Sequence, residues 1–260
     1  MQKVDGRLIA GKIVERLRAS PVPDKILAAI LVGNDKASQS FLKIKEKIAG
    51  ILSIRFDIYQ LSDLVSQEDL EEKVKKISGD FNIGGVIVQL PLPKKFDREK
   101  VLSNIDAKKD VDALTAGALV EPPVVGVVKE VLDWAGVKNL NSLKIIVVGK
   151  GKLVGQPVIK WLGRENLKFK IADSKTKNLA KFLLGADLII TGVGQKDLID
   201  PEWLKEGAGI IDFGFPPDLK NPNDQIPMTK LGFYTPTPGG TGPILVAKLF
   251  ENFYKLNKEN

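Results

Sequence analysis

The sequence contains no cysteine and no histidine. The first absence excludes disulfides, thiolate nucleophiles and cysteine metal sites. The second removes the commonest general base and the commonest metal ligand. Acid–base chemistry therefore falls to Lys, Asp, Glu, Tyr or water. Trp and Tyr are sparse, with three of each in 260 residues. The formal net charge of +7 suits nucleic acid or phosphorylated small molecules. The lysines are scattered rather than gathered into a stripe, so nucleic acid is not expected as a partner. No stretch reaches the apolar length of a membrane span, and the amino terminus carries no apolar leader region. The expectation is a cytoplasmic protein without a membrane partner. A hydrophobic fraction of 43% supplies the core of one large or two small domains.

The chain is organised around Gly84-Gly85-Val86-Ile87-Val88-Gln89-Leu90-Pro91-Leu92-Pro93. Val86 to Val88 are apolar on both faces, the pattern of a buried strand. Pro91 and Pro93 cannot donate ladder hydrogen bonds and stop it. Gln89 is thereby set at the carboxyl end of a parallel strand, where open α/β sheets place ligands. The same residues also read as a core strand with a polar terminus.

Upstream, Leu8, Ile9, Ile13 and Leu17 fall at helical spacing, and Pro21 and Pro23 end that helix. Leu27 to Val32 reads as a strand closed by Gly33-Asn34-Asp35. A helix over about Gln39 to Gly50 follows, with Ser38 as its cap. Phe41 and Lys45, four apart, share one face of that helix near its start. A strand over Ile54 to Leu61, a capping box at Ser66 and Asp69, and a helix over Gln67 to Ile77 lead on to the Gln89 strand. This order predicts a parallel sheet with right-handed crossovers, and it brings Lys45 and Gln89 to one carboxyl-edge crevice. A short helix over Asp97 to Ile105 precedes Lys109-Asp110-Val111-Asp112, where Asp112 reads locally as a capping, solvated or functional acid. Pro122-Pro123 marks a domain boundary before a helix over Val125 to Ala135.

The alternation then restarts, with strands over Leu143 to Val148, Phe169 to Ala172, Asp187 to Thr191 and Gly209 to Phe213. The first runs into Gly149-Lys150-Gly151-Lys152-Leu153-Val154-Gly155 and a helix to about Leu162. Its G-x-G-x-x-x-G spacing is one residue longer than the usual dinucleotide fingerprint. With a strand before it, a helix after it and Asp173 ending the second strand, it predicts a Rossmann-type unit. Gly149 and Gly151 let backbone N–H groups approach a pyrophosphate at the positive end of a helix. Lys150 and Lys152 suit the 2′-phosphate of NADP as point charges. Asp173 suits the unphosphorylated ribose of NAD. Tyr234 to Pro243 holds three prolines and three glycines in ten residues. That is either a rigid loop open to a ligand or a domain linker. A helix over Ile244 to Tyr254 ends the pattern.

Together these stretches resemble the bifunctional methylenetetrahydrofolate dehydrogenase/cyclohydrolase (FolD) family almost end to end. The resemblance is carried by Val4-Asp5-Gly6, Ala37-Ser38-Gln39 with Phe41 and Lys45, Val88 to Pro93, Lys109 to Asp112, Val154-Gly155-Gln156-Pro157, Ser174-Lys175-Thr176 and Thr235 to Pro243. It implies an α/β chain in two domains. Residues 1–122 and 243–260 would form a folate-binding catalytic domain, to which the C-terminal helix returns. Residues 123–242 would form a Rossmann domain. It also implies two reactions in one cleft: hydride transfer from 5,10-methylenetetrahydrofolate to NADP, with NAD possible, and hydrolysis of the methenyl product to 10-formyltetrahydrofolate. A homodimer and no catalytic metal go with it.

By position, Lys45 matches the family's proton-shuttling lysine, Gln89 the glutamine that orients it, and Asp112 the aspartate that binds the pterin. Phe41, Pro238, Gly239 and Gly240 would line the substrate pocket. Gly149, Lys150, Gly151, Lys152, Asp173, Ser174, Gly194, Thr241 and Gly242 would hold the cofactor. The chain departs from the family pattern at Phe41 (usually Tyr), Ala113-Leu114 (usually Gly-Phe), Pro122 to Gly126, Lys150-Gly151 (usually Arg-Ser) and Asp173 (usually His). Phe41 raises the alternative of a dehydrogenase with impaired cyclohydrolase. A catalytically silent folate- or nucleotide-binding protein is a further alternative, against which the joint presence of Lys45, Gln89 and Asp112 speaks.

Overall fold

The computed structural model describes residues 2–195, 198–214 and 231–258. The chain divides into two compact units, Gly11–Pro123 with Val246–Asn260 and Met1–Ala10 with Val124–Leu245. Strand β1 (Gln2–Lys3) and helix α1 (Gly6–Arg18) open the chain. The first unit continues through β2 (Ile26–Val32), α2 (Lys36–Ile51), β3 (Arg55–Leu61), α3 (Gln67–Gly79), β4 (Ile83–Val88) and the short α4 (Arg98–Leu102). Its three strands run parallel in the order β3-β2-β4. Every residue of β2 and β4 is buried, as strands covered on both faces require. One face packs Ile30, Val86 and Val88 on Leu70, Val74 and Val101. The chain leaves β2 toward β3 and later returns to the far side of β2 as β4. The loops after β2 and β4 therefore diverge and leave a crevice at their carboxyl ends.

Helix α5 (Pro123–Trp134) leads into the second unit, with Pro123 at the first helical position, where a missing N–H costs nothing. The unit continues through β5 (Ile145–Val148), α6 (Gly155–Arg164), β6 (Phe169–Ala172), α7 (Leu179–Leu183), β7 (Leu188–Thr191), β8 (Ala208–Asp212) and β9 (Leu231–Tyr234). These strands and β1 form one parallel sheet in the order β1-β9-β8-β7-β5-β6. The direction of winding reverses between β5 and β7, which is the switch point of a dinucleotide fold.

Helix α8 (Thr241–Leu256) ends in the first unit. Phe250 and Phe253 are fully buried there. A side chain on Gly85 would strike Phe253, Leu27 and Val111, so this close packing depends on glycine. Asn252, only 2% exposed, donates its side-chain amide to Val111 O and Glu121 O, each at 2.9 Å. Asn252→Ala leaves two carbonyls without their donor. It is expected to destabilise the protein by about 1–3 kcal/mol, read as a lower urea midpoint at unchanged slope. A shift below about 0.5 kcal/mol would show that water replaces the amide.

Several boundaries differ from the sequence reading for identifiable reasons. Helix α2 begins at Lys36, and its cap is Asp35 rather than Ser38. The Asp35 carboxylate accepts the Ser38 N–H at 2.7 Å, and Ser38 lies buried inside the first turn. Lys45 accordingly sits in the third turn of the helix, not near its start. At Ser66 the hydroxyl does accept the Asp69 N–H, at 3.0 Å. The helix expected over Asp97 to Ile105 is regular only over Arg98–Leu102. Residues 1–10, assigned by sequence to the first domain, belong with the second unit. There β1 pairs with β9, Val4 N–H donates to Tyr234 O, and Gly6 N–H donates to Gly239 O.

Candidate active site

Three residues singled out from the sequence, Lys45, Gln89 and Asp112, come together in the first unit, and Phe41 lies one turn from the first of them. The third turn of α2 carries Lys45, with Phe41 one turn earlier on the same face. Gln89 directly follows β4. Its N–H donates to Ile30 O at 2.9 Å, which extends the ladder by one residue, and its side chain is 7% exposed. The side-chain amide is held at both ends: Nε2 donates to Leu90 O at 2.7 Å, and Oε1 accepts from Lys45 Nζ at 3.0 Å. Asp112 is brought in by the segment after α4. Val86 N–H donates to Lys109 O at 2.8 Å, Asp110 bridges to Val86 alongside β4, and Asn252 holds Val111 O.

The electrostatics of this cluster follow from its depth. Burial pushes the Lys45 ammonium below the ordinary lysine value, and the charge of Asp112 partly offsets that fall. Burial pushes the Asp112 carboxyl up; Lys45 pulls it down again, and Asp110 adds to the rise. A base whose proton is loosened and an acid whose proton is tightened, each acting on the other's charge, are arranged for proton exchange. Asp110 was not foreseen. It is fully buried, and its Oδ2 accepts the Thr115 N–H at 2.6 Å, which fixes the turn after Asp112.

The second unit presents the loops after β5, β7, β8 and β9 at one sheet edge. Gly149 has φ +93°, in the left-handed region that glycine tolerates, and its N–H donates to Ala172 O at 2.8 Å. A Cβ on Gly155 would strike the Gly149 carbonyl oxygen, so α6 can close on the turn only through glycine. No side chain caps α6, and Gly151 stands in open space. An anion in the turn would meet the positive end of the helix directly, so the turn fits the pyrophosphate of NAD(P). Lys152 and Ser174 are exposed at the same edge. Lys150 and Asp173, which point to different cofactors by sequence, are ion-paired, with Nζ 2.7 Å from Oδ2. Lys150, with help from the Lys175 N–H, holds the Asp173 carboxyl below the usual range.

The proline–glycine loop is held from behind by a residue that sequence reasoning missed. Asp212 ends β8. Its N–H donates to Thr235 Oγ1 at 2.7 Å, its carbonyl accepts Thr241 Oγ1 at 3.1 Å, and its Oδ1 accepts the Gly214 N–H at 2.7 Å. The Thr241 hydroxyl therefore bonds to the scaffold. Gly239 has φ +98° and offers its carbonyl to Gly6 N–H; Gly240 N–H donates to Pro236 O; Pro238 is exposed. Gly242 stands in open space. Gly194 has φ +68° and lies against Gly214. An acid at a strand end followed within two residues by glycine was the available signal for Asp212.

Comparison with known proteins identifies the family. Residues 4–112 match the family described as tetrahydrofolate dehydrogenase/cyclohydrolase, catalytic domain, and residues 123–260 match its NAD(P)-binding domain. The bifunctional protein FolD of Staphylococcus aureus (strain JH9) is 34% identical over 254 residues, covering 92% of this chain and 88% of the relative. The bifunctional enzyme FolD of Campylobacter jejuni superposes with a TM-score of 0.88 at 27% identity, over 99% of this chain and 98% of that one. The Trypanosoma brucei enzyme, solved with NADP cofactor and an inhibitor, gives 0.89 at 28% identity, over 98% and 96%. The chain belongs to the tetrahydrofolate dehydrogenase/cyclohydrolase family.

Proposed function

We propose that this chain oxidises 5,10-methylenetetrahydrofolate to the 5,10-methenyl cation with NADP and hydrolyses that cation to 10-formyltetrahydrofolate. The observation that carries the reading is the Lys45–Gln89–Asp112 cluster. Bound NADP in its oxidised form supplies the hydride acceptor. The chain's own residues do the rest. Asp112 receives hydrogen-bond donors of the pterin. Lys45, with its proton loosened by burial, takes a proton from the water that adds to the methenyl carbon. It returns that proton to N5 as the carbon–N5 bond breaks, while the remaining hydroxyl proton passes to solvent as the formyl C=O forms, so the ring opens with one proton released and none held by the protein. Gln89 keeps the Lys45 Nζ in place for both transfers. The cofactor is assigned as NADP from Lys150 and Lys152 at the phosphate turn, in keeping with the Trypanosoma brucei relative.

The test is a spectrophotometric assay that follows cofactor reduction and methenyl accumulation separately. Reduction without accumulation is the expected result. No reduction with NADP or NAD would overturn the reading in favour of a silent binding protein. Phe41 favours a second outcome, because no hydroxyl is available one turn from Lys45 to assist proton transfer. In that case methenyl builds up in the wild type, and Phe41→Tyr raises hydrolysis by about tenfold or more while leaving reduction unchanged. Failure of Phe41→Tyr to change the hydrolytic step would assign it wholly to Lys45 and its partners.

We also propose a cytoplasmic homodimer. Ile44 and Ile51 on α2 and Ile58 on β3 are 48%, 43% and 41% exposed, and β3 lies at an edge of its sheet. An apolar rim on an edge strand suits a second copy. Among the described residues, no helix is long and apolar enough to cross a membrane. Sedimentation should show a dimer that Ile58→Lys dissociates; a wild-type monomer at micromolar concentration would refute the assignment.

A further inference from the structure

The Lys150–Asp173 pair answers a question that the reaction leaves open, namely which cofactors the chain accepts. The register between β5 and β6 sets Val148 opposite Ala172. Lys150 stands two residues beyond one strand end and Asp173 one beyond the other, where Rossmann units read the adenosine ribose. Asp173 is fixed by its own turn. Its Oδ1 accepts the Lys175 N–H at 3.0 Å, and its N–H donates to Thr176 Oγ1 at 3.0 Å. Lys150 is the mobile partner, a point charge on a flexible stem with a half-exposed side chain.

We infer that Lys150 and Asp173 form a cofactor selector in which one cation is shared between the protein's own carboxylate and the 2′-phosphate of NADP, so that the chain accepts both NADP and NAD. This rests on the dinucleotide-binding part of the reading above. With Lys150 held on Asp173, the edge already offers the ribose hydroxyls of NAD a fixed acceptor. A 2′-phosphate brings about two further negative charges. It has to draw Lys150 Nζ away and leave the carboxylate unpaired beside it. Both side chains are partly in water, so neither state gains strongly over the other, and salt weakens the difference. Asp173 thereby limits the preference for NADP, and Lys150 keeps NADP acceptable at all.

Isothermal titration of the full chain with 2′,5′-ADP and 5′-AMP, which differ only in the 2′-phosphate, tests this without turnover. Asp173→Asn keeps an acceptor for the Lys175 N–H and removes the charge. It should raise the affinity ratio of 2′,5′-ADP to 5′-AMP by about five- to tenfold, and Lys150→Gln should lower it by a similar factor. Ratios moving by less than about twofold in both variants would overturn the selector. So would a wild type that binds neither nucleotide, which would remove the dinucleotide reading as well. The expected ratios in a protein that fails to oxidise 5,10-methylenetetrahydrofolate would leave the selector standing and remove the proposed reaction alone.

Discussion

Lys45→Met is expected to lower hydrolysis of the methenyl cation by about 10²- to 10⁴-fold, the range for a positioned proton-transfer group, with folate binding close to that of the wild type. Methionine retains most of the apolar stem along α2, so the helix face on which Phe41 sits is preserved. What is lost is the group that Gln89 Oε1 holds at 3.0 Å. Hydride transfer needs no proton from Lys45, so cofactor reduction should continue and methenyl should accumulate. A variant that still opens the ring at the wild-type rate would remove Lys45 from the chemistry. The wild-type hydrolytic rate should rise with pH as Lys45 loses its proton, on a limb lying below the ordinary lysine range because burial disfavours the ammonium.

Asp112→Ala is expected to act on binding and on that limb together. Without the carboxylate, pterin donors enter a buried site unpaired, which costs about 1–3 kcal/mol and raises the folate KM by about one to two orders of magnitude. Asp112 also holds the Lys45 pKa up, since its negative charge favours the ammonium. Its removal moves the ascending limb of the hydrolytic pH profile to still lower pH. A purely structural Asp112 would change stability and leave both the KM and the limb where they were. The companion shift has the opposite sense: the Asp112 carboxyl is raised by burial, so its ionised form is disfavoured in the fold. Its contribution therefore makes the native state relatively less stable as pH rises through the window between its unfolded and folded values. Asp112→Ala should flatten that part of the stability curve.

The strands were the most legible feature, because uninterrupted β-branched runs bounded by glycine or proline leave few alternatives. Strand β4 ends where Gln89 and the prolines require, and β5, an Ile-Ile-Val-Val run, stops before Gly149 as predicted. The helix cap was not legible, because Asp35 and Ser38 are both capable caps and the exit of β2 decides between them. Strand β1 has two residues and β9 is interrupted by Gly232, so neither shows a period; only pairing across the sheet makes them strands. The pair of Lys150 and Asp173 argued in opposite directions when read one residue at a time, since their 23-residue separation conceals that they share a charge. Asn252 lay in an apolar helix, and its partners Val111 and Glu121 are more than a hundred residues away. Residues acting through local pattern could be read; those acting through distant partners could not.

Each unit is completed by residues from the opposite end of the chain. Phe250, Phe253 and Asn252 on α8 close the unit that starts at Gly11, and Gln2–Lys3 extend a sheet whose neighbouring strand begins at Leu231. On the ribosome, the strands made first must therefore wait for Phe250 and Phe253 to leave the exit tunnel. The stretch from Val124 to Leu245, although synthesised later, has nearly all its own strands in hand before that moment. The order of synthesis and the order of completion run opposite to each other, and the early strands remain exposed to chaperones or to other nascent chains for the time it takes to translate the rest.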